Sequence, residues 1–519
     1  MARSFNTTGP CVPGEHYMIP PGRRLERVLE LIEERKFFTL HAGRQTGKTT
    51  SLMWLEAHLN ASGRWRAVWV DLEVAREQPD PALAMRTILT ILDRTLGLRQ
   101  PGLARPDAAA IEGALRDPST ALLAYLAYLA MQGGPPLVLL FDEADGLVGP
   151  AMISFLTQLR QGYIARSQAP FPASVILVGL RQVRDYVVSS EDRQALSWLG
   201  STSPFNVTAE ATTLDAFGEA EVAELLGQHE ADTGQHFEPE AARRIWELGQ
   251  GHPWLTNALA YEVVRRIVKD VTTPVTALHV EAAKETIIRE RRSHIDSLIA
   301  RLREPRVRRI LEPMLAGTAL PEDLLDDDVS YVQALGLVRV DRGELQIANP
   351  VYREVIPRAL TWIRQISIHE PTEWYVRSDG ALDLPKLMAA WQAFWRQDGH
   401  LAAEGFAYRE AGPHLMLMAF LQRVINGGGQ IEREYGLGRG ALDLMITWTG
   451  ARHAIEVKLR RDTETEPEAV AQIARYLDRA GLSEGWLVLF DLRKELAWAD
   501  KLVMREIAHA GKTIHVVGC

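Results

Sequence analysis

Short, continuously apolar segments alternate with amphipathic stretches up to about residue 210 of the chain. Four of these segments read KFFTLHA, RAVWVDL, PLVLLFD and SVILVGL, and SPFNVTA is a candidate fifth. Strands without a polar face are typical of a parallel sheet that helices cover on both sides, and alternation of strands with helices indicates the α/β class. We therefore predict a parallel α/β domain over residues 23–213, preceded by an extended, Pro- and Gly-rich segment over residues 1–22.

Beyond residue 213 the apolar positions recur with the period of a helix, which predicts a helical lid over residues 214–292. Residues 293–364 have helical patterns followed by two short strands around Arg342-Gly343, an order that suggests a winged helix. A connector with one helix, LPKLMAAWQAFWRQ, is expected over residues 365–400, and a second, smaller α/β unit over residues 401–519. The prediction is thus a multidomain α/β protein.

Composition limits the number of domains, the surface charge and the cellular compartment, but it does not indicate an activity. A chain of 519 residues is too long for one hydrophobic core, and its net charge of −9 excludes a broadly basic surface but not a local basic patch. The two cysteines, Cys11 and Cys519, cannot form a disulfide framework, which fits a reducing cytoplasm. The chain has no run of about 18 apolar residues and no apolar signal core, so we expect a cytoplasmic protein without a membrane partner.

The segment HAGRQTGKTT follows the first apolar strand and opens a helix. It has the spacing of a phosphate-binding P-loop, with Ala42 where the first glycine usually stands. Backbone N–H groups and the helix N-terminus attract phosphate, Lys48 would reach the β- and γ-phosphates, and the Thr49 hydroxyl would ligate Mg²⁺. The predicted nucleotide-binding residues are Ala42, Gly43, Arg44, Gln45, Thr46, Gly47, Lys48, Thr49 and Thr50.

A second apolar strand, PLVLLFDEAD, ends in two acids. Asp142 would hold Mg²⁺ through water and Glu143 would polarise the attacking water, whereas the alternative is that both merely begin a loop. Arg181 lies just past the fourth strand, where it would reach the γ-phosphate as a sensor or else be a surface arginine. The two motifs, in this order on strands, predict ATP binding and hydrolysis.

The stretches GRQTGKTT, LLFDEAD and GQGHPWLTNALA resemble AAA-type ATPases, specifically the bacterial AAA-like group related to STAND NTPases. The resemblance covers roughly residues 14–365 and implies slow hydrolysis, a nucleotide-controlled conformation and, for STAND-like proteins, homo-oligomerisation on activation. Pro253 matches the family's G-x-P element, which implies a contact with the nucleotide from the lid. The alternative for Pro253 is an ordinary proline at a helix start.

A third polar constellation lies in the segment RHAIEVKLRR. In a strand, Glu456 and Lys458 share one face, and twelve residues separate Glu456 from Asp443, enough for two strands and a turn at Thr449-Gly450. Facing carboxylates repel each other, and a divalent cation with oxygen ligands, Mg²⁺ or Mn²⁺, removes that repulsion. Lys458 would then orient a metal-bound water or stabilise charge on a phosphate. The alternative is a solvated cross-strand ion pair.

This arrangement resembles the PD-(D/E)xK nuclease superfamily, with Asp443, Glu456 and Lys458 at the motif positions and Leu442 in place of the usual proline. The expected restriction-endonuclease-like order, α-β-β-β-α-β, can be laid out from about residue 410 onward. The resemblance implies a metal-dependent phosphodiesterase site that includes Asp443 and Glu456 as metal ligands.

Two further positions follow from the same resemblance. Glu410 would supply one more acid from the first helix, or else is an acid favoured by the dipole at a helix start. Gln472 and Tyr476 resemble a Q-x-x-x-Y element near the site, or else belong to an ordinary amphipathic helix.

Two functions remain open from the sequence. The first is an ATP-regulated, divalent-metal-dependent nuclease that acts on nucleic acid, with DNA expected, in an architecture compatible with bacterial defence against foreign DNA. The second is a nucleotide-dependent switch or scaffold whose nuclease-like domain binds or assembles without cutting.

Overall fold

The computed structural model describes residues 3–41, 43–179, 208–290, 293–316, 320, 326–341, 343–356, 359, 374–396, 412–426, 429–436, 441–460, 462–491, 493 and 496–519. The chain divides into two compact units. The first comprises Met1–His294 and Val329–Val340, and the second comprises Ile295–Asp328 and Asp341–Cys519. The division runs through residues 293–364, so the single winged-helix domain expected there stays a prediction.

Within the described part of the first unit, five strands form a parallel sheet in the order β2-β3-β4-β1-β5. The strands are β1 (Phe37–His41), β2 (Arg66–Asp71), β3 (Leu137–Asp142), β4 (Ser174–Gly179) and β5 (Thr208–Thr213). The helices around them are α1 (Glu26–Glu33), α2 (Lys48–Ala61), α3 (Pro81–Arg99), α4 (Ala108–Ala114), α5 (Ala121–Met131) and α6 (Gly149–Ala165). The predicted parallel α/β fold is confirmed for this part of the chain.

Two apolar clusters cover the two faces of this sheet, which explains why its strands have no polar side. Along β3, Leu139 and Phe141 belong to the cluster with α3, α5 and α6, whereas Val138 and Leu140 belong to the cluster with α1 and α2. All six residues of β3 are buried. The fifth strand is the exception to the prediction, because SPFNVTA begins before it and residues 203–207 lie outside the described part. Residues 208–213 of β5 read TAEATT, in which polar residues alternate with alanine up to Thr212, so the search for continuously apolar segments did not locate the strand.

The helical pattern after residue 213 corresponds to four described helices, α7 (Glu219–Thr233), α8 (Pro239–Gly249), α9 (Pro253–Glu262) and α10 (Ala277–Arg289), with a π-helical turn over Val263–Ile267. The first residues of the chain pack against this helical part. Phe5 and Tyr17 are buried, and the Tyr17 hydroxyl lies 3.3 Å from His229 Nδ1. Trp254 Nε1 donates to the Thr7 carbonyl at 2.9 Å.

The described part of residues 293–347 contains three helices, α11 (Ser293–Arg301), α12 (Pro305–Ala316) and α13 (Asp326–Ala334). These helices precede β6 (Val338–Asp341) and β7 (Glu344–Ile347), which form a two-stranded sheet. Arg342, in the expected turn, lies outside the described residues. The order of helices and then a strand pair is the predicted one.

In the described part of the second unit, six strands form a mixed sheet in the order β12-β13-β11-β10-β9-β8. They are β8 (Gln430–Gly436), β9 (Ala441–Trp448), β10 (Ala451–Arg460), β11 (Glu484–Asp491), β12 (Met504–His509) and β13 (Lys512–Gly518). The helices are α14 (Leu384–Phe394), α15 (Gly412–Asn426), α16 (Thr465–Ala480) and α17 (Trp498–Lys501). From α15 to β11 the elements follow the predicted α-β-β-β-α-β order, while β12 and β13 extend the sheet beyond it.

The turn between β9 and β10 lies at Thr449 and Gly450, as the sequence predicts. Both residues have positive φ, 45° and 87°, the backbone that a two-residue turn needs to match the twist of its strands. This turn sets the register that brings the two halves of the carboxylate motif together.

Helices cover both faces of the second sheet. On one face α16 packs over Ala454, Leu487 and Val516, and on the other Trp391 and Phe490 meet in an edge-to-face contact. Glu456 and Lys458 lie on the α16 face, because their strand neighbour Ala454 does. Glu456 is fully buried, so the alternative of a solvated ion pair is wrong for this carboxylate. Among the described residues, no helix is both long and apolar enough to cross a membrane.

Candidate nucleotide and metal sites

The phosphate-loop segment joins β1 to α2, in the strand–loop–helix context that the motif requires. Gly47 precedes α2 with φ 88° and Gln45 has φ 57°, so the chain turns through left-handed backbone twice within three residues. The Thr46 hydroxyl donates to the Gly43 carbonyl at 2.8 Å, and Thr50 Oγ1 accepts from Cys11 N at 2.9 Å. Ala42 lies outside the described residues.

Lys48 and Glu143 meet at the mouth of this loop. Lys48 Nζ lies 3.3 Å from Glu143 Oε1, and Arg76 Nη2 donates to Glu143 Oε2 at 2.7 Å. Glu143 has φ 53°, an uncommon conformation for a residue with a side chain. The motif on β3 and the phosphate-loop lysine are therefore adjacent in space, although β4 lies between β3 and β1 in the sheet.

Asp142 ends β3 and is buried beside Lys48. Burial raises the pKa of its carboxyl to about 6, although the Lys48 charge opposes the rise. Asp142 Oδ1 accepts from Glu143 N at 3.0 Å. A buried carboxylate with a raised pKa is a group that gains from a nearby cation, which is the environment expected of a Mg²⁺ ligand.

The histidine of the lid element, His252, is hydrogen-bonded to the backbone of Arg44 in the phosphate-loop segment. Pro253 is the first residue of α9, and His252 precedes it with Nδ1 accepting from Leu255 N at 3.4 Å. Burial lowers the pKa of His252 to about 4, and its ring lies 4.9 Å from that of His294. The proposed contact of Pro253 with nucleotide stays a prediction, and Arg181 lies outside the described residues.

Three features near the loop had no signal in the sequence. Arg76 follows β2 without any recognisable motif, and Arg24 donates to the Thr46 carbonyl at 3.3 Å. A later segment also returns to the loop, since a Cβ added at Gly43 would lie 3.8 Å from the Gly336 Cα atom. In the same segment, Arg339 Nη1 donates a hydrogen bond to Gln250 Oε1 at 2.7 Å.

In the second unit, Asp443 and Glu456 meet where the β9–β10 ladder stops. The paired residues run from Ala451–Trp448 to Ile455–Leu444, and side chains then connect the strands. Val457 N donates to Asp443 Oδ2 at 2.7 Å, and Asp443 N donates to Glu456 Oε2 at 3.4 Å. The two acids predicted to face one another are therefore neighbours.

The environment of this pair favours a cation. Burial, and then the Asp443 charge, raise the pKa of Glu456 to about 7. Lys458 Nζ lies 2.8 Å from Glu456 Oε1. Burial alone would lower the pKa of Lys458, but the charges of Asp443 and Glu456 outweigh it and raise the pKa. The ammonium is thus held charged against two carboxyl groups.

Glu456 Oε1 is buried, and the Lys458 ammonium at 2.8 Å is the cation that faces it in the described part of the chain. A divalent cation prefers such oxygen ligands. Asp443 and Glu456 are the two candidate metal ligands in the described ranges, where no group of three or more His, Cys, Asp or Glu side chains is arranged to hold a metal. Glu410, the predicted third acid, lies outside those ranges.

The two helix residues predicted near this site lie on α16, over the same face of the sheet. Gln472 Nε2 donates to the Tyr476 hydroxyl at 3.1 Å. A charge interaction with Tyr476 is the smallest of the causes that raise the pKa of Lys458. Gln472 is therefore hydrogen-bonded to the tyrosine whose charge interaction acts on Lys458.

Two protein-family models match the chain. Residues 31–187 match an AAA domain (AAA_22), and residues 386–494 match a domain of unknown function (DUF8371). A comparison with curated proteins found no match. The second match covers much of the part expected to be a nuclease and assigns it no activity.

Several solved structures match this chain at low sequence identity and low TM-score. The Walker-type ATPase PABY2304 of Pyrococcus abyssi is 16% identical, with a TM-score of 0.45 over 68% of this chain and 99% of that chain. The Orc1 protein of Aeropyrum pernix, solved in complex with DNA, is 16% identical, with a TM-score of 0.35 over 69% and 96%. The RuvB Holliday junction branch migration motor of Thermotoga maritima is 15% identical, with a TM-score of 0.32 over 68% and 95%. Similarity at this level transfers no function.

The family match and the local geometry concern the same residues. The matched range includes the loop that precedes Lys48 and the acids that follow β3, and both lie at the carboxyl ends of parallel strands. The N-terminal part of this chain therefore carries an AAA-type P-loop domain that binds and hydrolyses ATP.

Proposed function

We propose that this ATPase controls a divalent-metal-dependent phosphodiesterase in the second unit, with DNA as the expected substrate. The observation that carries the proposal is the fully buried Glu456 carboxylate beside half-buried Asp443 at the end of a strand ladder, with the Lys458 ammonium 2.8 Å from Glu456 Oε1. Structural ion pairs seldom leave one carboxylate fully buried beside a second. Such a pair is the arrangement that a metal-activated hydrolysis needs.

At the ATPase site, the loop from Gly43 to Thr50 would cradle the phosphates and Lys48 would bind the β- and γ-phosphates. Thr49 and Asp142 would hold Mg²⁺, which neutralises charge on the phosphates when bound. Glu143 would orient the attacking water and accept its proton. For Glu143 to act, Lys48 must leave it for the nucleotide, so ATP binding itself releases the carboxylate from one of its two partners.

At the second site, Asp443 and Glu456 would hold Mg²⁺ or Mn²⁺, and the bound cation would supply a water of lowered pKa and a positive charge for the phosphate. Lys458 is tied to Glu456 in the absence of a cation. Once released from Glu456, the Lys458 ammonium would stabilise the phosphate oxygens as negative charge develops. Tyr476, hydrogen-bonded to Gln472, would limit how far Lys458 moves.

The test is a cleavage assay on plasmid DNA, single-stranded DNA and RNA with Mn²⁺, with and without ATP. We expect cleavage that Asp443→Ala abolishes and that nucleotide changes. Asp478→Ala is the matched control, because its side chain is 81% exposed on the same helix-bearing face of the unit. Absence of cleavage of all three substrates under every nucleotide condition contradicts the proposal.

One observation favours a second function, a nucleotide-dependent switch or scaffold. The carboxylates also bridge the backbones of β9 and β10, at Val457 N and Asp443 N, which is a structural task. Under this alternative the unit binds or assembles without cutting, and Asp443→Ala lowers its melting temperature without any metal-dependent difference. A part in defence against foreign DNA rests on the order of the domains alone.

A further inference from the structure

A partly buried arginine lies beside the phosphate-loop segment and belongs to none of the motifs. Arg24 is the last residue of a short 3₁₀ helix, Pro21–Arg24. Its Nη2 donates to the Thr46 carbonyl at 3.3 Å. Its Nη1 lies 3.8 Å from the point where a Cβ on Gly47 would stand. The guanidinium therefore touches the loop at the peptide that joins Thr46 to Gly47.

Arg24 differs in its surroundings from the arginine next to it. Arg23 is exposed and forms a 2.6 Å ion pair with Glu224. For Arg24, no carboxylate among the described residues lies within 4.0 Å, and its Nε is buried without a hydrogen-bond partner there. Glu221 and Asp215 act on it only through longer-range charge. Burying a guanidinium without an ion pair costs free energy, so its position calls for a task other than a surface salt bridge.

The chemistry of the contacted peptide indicates that task. The carbonyl of Thr46 and the N–H of Gly47 belong to one planar peptide and point in opposite directions. A cation that donates to the carbonyl holds the peptide in one orientation and polarises the N–H on its other side. Phosphate-loop N–H groups are the donors that bind nucleotide phosphates. We propose that Arg24 is a positioning residue of the ATP site, which fixes the Thr46–Gly47 peptide with its N–H toward the β-phosphate.

A second contact links Arg24 to the helical lid. Its guanidinium carbon lies 5.0 Å from the centre of the Phe217 ring, and Phe217 N donates to the Gly251 carbonyl at 2.9 Å. Gly251 has φ 71°, and a Cβ there would stand 1.9 Å from Phe217 O, so the two backbones are in close contact. Gly251 lies two residues before Pro253. Arg24 thus joins the phosphate-loop segment to the lid through one aromatic ring, and a bound phosphate that orders the peptide also orders this connection.

Calorimetric titration of the full chain with ATP, ADP and AMP tests the proposal. Arg24→Gln should weaken ATP and ADP binding alike, by about tenfold to a hundredfold, as expected for the loss of a charged hydrogen bond. AMP, which lacks the β-phosphate, should bind Arg24→Gln and wild type equally. Arg24→Lys should recover part of the affinity because an ammonium can still donate to the carbonyl. Arg23→Gln, the neighbouring control, should bind like wild type.

Two results would overturn the proposal. Equal affinities of wild type and Arg24→Gln for ADP would show that the contact between Arg24 and the loop does not contribute to nucleotide binding. A loss confined to ATP would place the guanidinium on the γ-phosphate instead.

Steady-state hydrolysis separates positioning from a general loss of structure. Arg24→Lys and Arg24→Gln should raise KM for ATP and leave kcat unchanged, since Glu143 and Asp142 are untouched. A fall in kcat at saturating ATP with unchanged KM would also reject the assignment. Because the inference depends on ATP binding, wild-type protein and Lys48→Ala are titrated together with these variants. If the wild-type protein binds no nucleotide, the ATPase function itself is rejected. If wild type and Arg24→Gln bind nucleotide equally well, only this inference is rejected.

Discussion

Arg76 Nη2 donates to Glu143 Oε2 at 2.7 Å, on the carboxylate that would polarise the hydrolytic water. The second oxygen of Glu143 faces Lys48 at 3.3 Å. We expect the Arg76 contact to remain when ATP draws Lys48 to its phosphates. Glu143 is then still tied to a cation that opposes its acceptance of a proton.

Replacing Arg76 should therefore speed ATP hydrolysis. We expect Arg76→Gln to raise kcat several-fold with KM for ATP unchanged, because the carboxylate is freed while the phosphate-loop segment is intact. Steady-state phosphate release measures both constants. Arg64→Gln, which removes an exposed ion pair with Glu33, is the matched control and should leave both constants as in wild type. A lower kcat in Arg76→Gln would mean that the arginine orients Glu143 productively.

Lys48→Ala should abolish ATP binding, because this side chain is the one that reaches the β- and γ-phosphates. The substitution also removes the cation beside Asp142, whose pKa is already raised by burial. Isothermal titration measures the loss directly. Lys36→Ala, at a half-buried position before β1, serves as the control. Unchanged ATP affinity in Lys48→Ala would reject the assignment of the loop.

Glu143→Gln should separate binding from hydrolysis. The amide retains the size of the side chain but cannot take a proton from water, so ATP should bind as in wild type while kcat falls by about a hundredfold or more. Titration and phosphate release on the same preparation give the two quantities. Hydrolysis at the wild-type rate would show that another group activates the water.

Metal dependence distinguishes the roles of the three residues in the second site. Asp443→Ala and Glu456→Ala should lose any rise in melting temperature caused by Mn²⁺, since each deletes an oxygen ligand. Lys458→Ala should keep that rise while cleavage falls about a hundredfold, as when one donor to a developing charge is lost. Melts with and without Mn²⁺, with Asp478→Ala as control, decide the matter. A wild-type melting temperature indifferent to Mn²⁺ would exclude a metal site here.

In EDTA, the stability of the second unit should fall as the pH rises from about 4.5 to about 7. The pKa of Glu456 is raised from 4.5 to about 7 in the folded protein, so between these values the folded state binds more protons than the unfolded state. The stabilisation from protonated Glu456 is complete below the lower value and is lost through the upper one. Melting temperatures of wild type and Glu456→Gln across this range measure the effect. Parallel curves for the two proteins would show that Glu456 titrates normally.

The sequence predicted the sites whose residues are close along the chain. The phosphate loop is a run of adjacent residues between a strand and a helix, and its backbone geometry follows from Gly47 and the helix that begins at Lys48. Asp443 and Glu456 were brought together by a two-residue turn, whose Thr449-Gly450 signal is also local. In both cases the chain itself fixes which residues meet, because few backbone conformations connect them.

Contacts between distant segments were decided by the tertiary structure. Arg24 and Thr46 are 22 residues apart, and Arg76 and Glu143 are 67 residues apart. Neither arginine belongs to a sequence motif that predicts its hydrogen-bond partner. The edge strand β12 was missed because it is mostly exposed and lacks the apolar alternation that marks a half-buried strand. Hydrophobic periodicity reports whether a residue will be buried, but which polar groups share a site depends on how helices and strands pack. In that packing, each side chain is oriented by contacts with segments that are distant in the sequence, so no local pattern can reveal them.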